Sequence, residues 1–98
     1  GPVDLVMVLG LVHHLAISNN VPFERLSDFF AQAGRWLAIE FVPKQDQQVK
    51  KLLAWRDDIF DDYTQEKFEQ AFERQFVIHQ KASVKDTLRT LYLMERAR

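Results

Sequence analysis

Residues 5–9, Leu-Val-Met-Val-Leu, form an unbroken apolar run that ends at Gly10. The run is short, contains two valines and meets a glycine, which predicts a strand rather than a buried helix. A strand that is apolar at every position belongs where both faces are covered, as in parallel sheets. Here it stands almost at the first residue given, an unusual place for a strand suited to the middle of a sheet. A histidine pair, His13-His14, follows it closely.

The rest of the chain alternates helical and strand patterns. Pro22 suits a helix start, and Phe23, Leu26, Phe30 and Ala33 recur at helical spacing up to Gly34, which stands at a helix C-cap. This predicts a helix over about 22–33. Trp36 to Val42 is a second apolar strand, broken by Glu40 and stopped by Pro43. Asp46 is placed to cap a short helix with Val49, Leu52 and Leu53 inward, and Thr64 to cap another carrying Phe68, Ala71 and Phe72 to about Arg74. Phe76–Lys81 and Leu88–Met94 complete the pattern as an antiparallel hairpin. The expected fold class is α/β: a partial doubly wound sheet of about four strands. It is mostly parallel, with one antiparallel C-terminal strand, and is flanked by about three helices.

The 98 residues suffice for one small domain. Thirteen basic against 14 acidic residues leave a charge of -1, which offers no pull toward nucleic acid or an anionic membrane. No segment reaches the roughly 18 apolar residues of a membrane span. The absence of cysteine removes disulfides and thiolate metal sites and fits a reducing compartment, so a cytoplasmic location is expected. Gly1-Pro2 has the form of a tag-cleavage remnant, and residues 3–98 are then expected to be the C-terminal portion of a longer domain.

Taken together, these stretches resemble the C-terminal half of a class I S-adenosylmethionine (SAM)-dependent methyltransferase. Asp4-Leu5-Val6 followed by Leu11-Val12-His13-His14-Leu15 looks like that family's fourth strand and the motif after it. Residues Trp36 to Pro43 look like its fifth strand, and Asp62-Tyr63-Thr64 with Phe68 and Phe72 is similar to its next helix start. Thr87 to Met94 looks like its antiparallel last strand. The resemblance covers about residues 3–96 and departs at one important point. With glycine only at positions 1, 10 and 34, there is no G-x-G spacing to bring backbone N–H groups against a cofactor. The resemblance therefore implies a parent enzyme that moves a methyl group from SAM to an unknown acceptor. The fragment itself is expected to be inactive, to bind no cofactor, and to need the missing N-terminal half as partner. The exposed Leu5–Leu9 edge is a further candidate for self-association. The alternative is a stand-alone α/β protein-interaction module without catalysis.

In open α/β sheets ligands sit beyond the carboxyl ends of strands. Leu9, Gly10, Leu11 and His14 are accordingly expected to form one wall of the parent's cleft, Gly10 permitting close approach. His13 and His14 are candidates for a base that takes a proton from the acceptor. The competing expectation is that one imidazole packs in a helix-start turn while the other faces solvent. No metal is expected, because adjacent histidines diverge and a third ligand would have to come from His79 or a distant carboxylate. Glu40 is a buried-strand carboxylate and needs solvent or a partner. It is either a substrate-cleft residue or a strand-end side chain turned to water or bonded to a backbone N–H. Asp57 to Asp62 is expected to be a solvated loop anchored by Ile59 and Phe60, and Trp55-Arg56 a helix-end contact. The phenylalanine stripes are expected in the core.

Overall fold

A computed structural model describes residues 3–55 and 57–97, without the side chain of Val3. Strand β1 (Val3–Val8) leads through a π-helical segment (His14–Ser18) into helix α1 (Phe23–Ala33). Then come strand β2 (Gly34–Phe41), helices α2 (Gln47–Leu53) and α3 (Gln65–Phe72), and strands β3 (Phe76–Ser83) and β4 (Thr90–Arg96). The π-helical segment was not expected. Its wide turn closes with the Asn19 N–H donating to the His14 carbonyl, and such a turn lacks the 3.6-residue period by which helices are read.

The four strands lie in the order β1-β2-β4-β3. The expectation of a mostly parallel sheet is corrected here. β1 and β2 pair in parallel, whereas β2–β4 and β3–β4 are antiparallel, so most of the ladders are antiparallel. A single reversed strand causes this. β4 turns back from β3 and inserts between β3 and β2, which makes two antiparallel ladders instead of one, while β1, β2 and β3 share a direction.

Register sorts the side chains by face. Val6 and Val8 lie beside Leu37 and Ile39, which lie beside Met94 and Tyr92, so these six share one face. α1 packs across β1 and β2 on that side and against α3. Phe68 of α3 meets the rings of Phe23, Phe41, Phe72 and Tyr92 at centroid distances of 4.6–5.4 Å. The Tyr92 hydroxyl donates to Glu69 Oε2 at 2.6 Å and accepts from Gln65 Nε2 at 2.8 Å, which satisfies it inside the core. The opposite face carries Leu5, Met7, Trp36, Ala38, Leu91 and Leu93, none of them buried.

Some local expectations are corrected. Gly34 is the C-cap of α1 as expected, donating its N–H to the Phe30 carbonyl, but its backbone is extended (φ -166°), and β2 starts there instead of at Trp36. Trp55 stands 91% exposed and makes no helix-end contact, while Arg56 lies outside the described residues. Ile59, 72% exposed, does not anchor its loop, whereas Phe60 packs against the core. Phe29 is likewise exposed, although Phe23, Phe30, Phe68 and Phe72 are buried.

Candidate functional site

The strand-end site is built where the parallel pair β1 and β2 ends. Val8 lies opposite Ile39, so the residues that follow each strand emerge side by side. Gly10 turns the chain with φ +64°, a left-handed conformation that costs other residues about 1–2 kcal/mol. A Cβ there would lie 3.7 Å from Arg89 Nη1 and 3.8 Å from Glu40 Oε1, which is ordinary contact. The backbone angle therefore demands the glycine, and crowding does not.

Glu40 sits one residue before the end of β2 and reaches across to this turn. Its Oε1 accepts the Gly10 N–H at 2.8 Å. The same oxygen faces Arg89 Nη1 at 3.4 Å. Of the two placements open for Glu40, the structure has the side chain bonded to a backbone N–H at the strand end. Arg89 lies just before β4. Its Nε donates to Asp46 Oδ2 at 2.9 Å and its Nη2 to Asp46 Oδ1 at 3.3 Å. Asp46 also caps α2 by accepting the Gln48 N–H at 2.9 Å. The Arg89 hydrogen bond holds the Asp46 carboxyl below its ordinary range, and Asp46 in turn raises Arg89.

The two histidines part company. His13 is 1% exposed, while His14 faces solvent, and their rings are 4.3 Å apart. Burial, reinforced by the charges of His14 and Arg89, lowers His13 to about 4, so it is neutral near pH 7. His13 is thus enclosed, although the charges of Arg89 and Asp46 at the strand ends act on it. Leu9, Leu11 and His14 are exposed around Gly10, which is partly covered. His79 lies far along the chain on β3 and pairs with Glu95 at 3.1 Å.

This arrangement does not by itself fit SAM. The Gly10 amide, the one glycine N–H at the site, is already taken by Glu40. Two surface cavities open elsewhere, one beside Asp28, Arg35 and Arg96 and the other beside Asn20, Ile59 and Asp62.

Sequence reasoning found Gly10 and Glu40 but missed Arg89, and it treated Asp46 as a helix cap alone. Arg89 is 43 residues from Asp46 and 49 from Glu40, and no local pattern marks such a pairing.

No family model matches the chain, and no solved structure matches it. The nodulation protein NoeA of Rhizobium meliloti (strain 1021) is 40% identical to it over 94 residues. The match takes in 96% of this chain and 20% of NoeA, so the chain spans about a fifth of the length of that curated relative.

Proposed function

We propose that this chain is the C-terminal half of a SAM-dependent methyltransferase domain, whose parent transfers a methyl group to an acceptor not yet identified. The observation that carries the reading is the sheet: three strands of one direction, with the last strand reversed and inserted between its neighbours. That arrangement agrees with the antiparallel last strand on which the sequence resemblance rests. Leu9, Gly10, Leu11 and His14 then form one wall of a cleft at the strand ends, where ligands of open α/β sheets bind, with Glu40 holding the Gly10 turn from behind. The missing N-terminal half supplies the other wall and the glycine-rich loop. When bound, SAM supplies an activated methyl group, so the wall's task is to orient reactants. His14 is the exposed imidazole available to touch an acceptor. The relationship to NoeA supports homology over this segment and a parent that works in a process such as nodulation.

Titration calorimetry with SAM on the longer parent and on this chain tests the reading. Micromolar binding to the parent and none to the 98-residue chain is expected. A parent that binds no SAM overturns the methyltransferase reading, and micromolar binding to the chain overturns the need for the missing half. The competing reading, a stand-alone interaction module, is favoured by the bare face carrying Leu5 and Met7, and the same titration decides against it when the parent binds.

A further inference from the structure

Arg89 is anchored at both ends. Its backbone closes the turn between β3 and β4: the Val84 N–H donates to its carbonyl at 3.0 Å, and its own N–H donates to Thr87 Oγ1 at 3.0 Å. Its guanidinium is held by Asp46, which is itself fixed as the α2 cap and donates its N–H to the Pro43 carbonyl at 3.0 Å. The remaining nitrogen, Nη1, points to the Glu40 oxygen that receives the Gly10 amide. The side chains are mostly buried, 23% exposed for Arg89 and 12% for Glu40 and Asp46, so the ion pairs are sheltered from screening. The fork of a guanidinium can grip one carboxylate with two nitrogens and still present a third to another, which an ammonium on a flexible stem cannot do in fixed geometry.

We infer that Arg89 is a positioning residue of the strand-end wall: clamped by Asp46, it fixes the Glu40 carboxylate on the Gly10 amide and so sets the left-handed turn of that wall. This rests on the cleft reading above for its functional meaning. The wall is then held by α2 and by the β3–β4 turn, elements remote from it in sequence. Arg89 itself touches no ligand and acts through Glu40.

The test follows the Gly10 amide by NMR in this chain, with Arg89→Gln and Arg89→Lys, and measures SAM affinity of the longer protein carrying the same changes. In Arg89→Gln the Gly10 resonance is expected to move upfield and its amide to exchange on the order of tenfold faster, while the Ile39 amide in the sheet keeps its protection. Arg89→Lys should recover part of the shift, which also serves if the glutamine variant folds poorly. In the longer protein, SAM affinity should fall on the order of tenfold with Arg89→Gln and recover partly with lysine. An unmoved Gly10 resonance overturns the inference. So does an equal loss of protection at Gly10 and Ile39, which would mark a purely structural strut. If the unsubstituted longer protein binds no SAM while Gly10 still responds, the methyltransferase reading falls and the positioning role stands.

Discussion

His13 shows how one buried side chain couples this fold to pH. Its ring is enclosed and no described side chain hydrogen-bonds to it, so the neutral form is favoured and the folded chain takes up a proton only at about 4. An unfolded chain protonates it near 6.5. Above that value both states are neutral and the stability is fully present. As pH falls below it, the unfolded state binds the proton first and stability is lost until the folded pKa is reached. Between pH 6.5 and 5 the loss is about 1.5 kcal/mol. Urea titrations at the two pH values should show it, and His13→Leu should flatten the slope. An unchanged slope in that variant would assign the effect to other groups. Gly10 carries a separate cost: Gly10→Ala is expected to destabilise the chain by about 1–2 kcal/mol through its positive φ alone.

Among the elements, α3 binds the two halves of the core together. Thr64 caps it by accepting the Lys67 N–H at 3.2 Å, and Phe68 projects from its first turns into a ring of four aromatic side chains. Phe68 is fully buried, so Phe68→Ala should cost about 3–5 kcal/mol and come close to unfolding a domain of this size. Thr64→Ala should cost about 1 kcal/mol. Thermal melts of the two variants should preserve that ranking. A larger loss from Thr64→Ala would mean that the cap, and not the aromatic contacts, holds the helix. The aromatic stripe of α3 and the Thr64 and Asp46 caps are readable in the residues because each depends on neighbours two to four positions apart. The π-helical segment is not, since its apolar residues follow neither period.

At the scale of the whole molecule, the sheet is covered on one side. β1 is an edge strand, and its outward face with that of β4 carries Leu5, Met7 and Leu91 exposed. Met7 is 62% exposed, and β1 has no charge or proline between Leu5 and Val8 to blunt its edge. The isolated chain is therefore expected to self-associate through Leu5–Leu9, and Met7→Lys to shift it toward monomer with little change in stability. Light scattering at rising concentration checks this, and a clean monomer of the unsubstituted chain would refute it. Among the described residues no helix is long and apolar enough to cross a membrane.

Local periodicity dictated most of the elements here. Alternation, caps and the glycine after β1 are short-range properties, and the residues at 22–33, 36–42 and 76–81 could be read from them within a few positions. Pairing is a different matter. Whether β4 lies outside β3 or between β3 and β2 changes no local preference, because its apolar residues suit either place. It is settled when Ile39 and Tyr92, far apart in the chain, come to share one buried face. The hydrogen-bonded cluster at the strand ends has the same origin. Gly10, Glu40, Asp46 and Arg89 are unremarkable in their own surroundings and become a unit when the strand ends, α2 and the β3–β4 turn converge. Burial of the apolar face drives that convergence, and the low solvent exposure it creates makes the carboxylates seek Arg89.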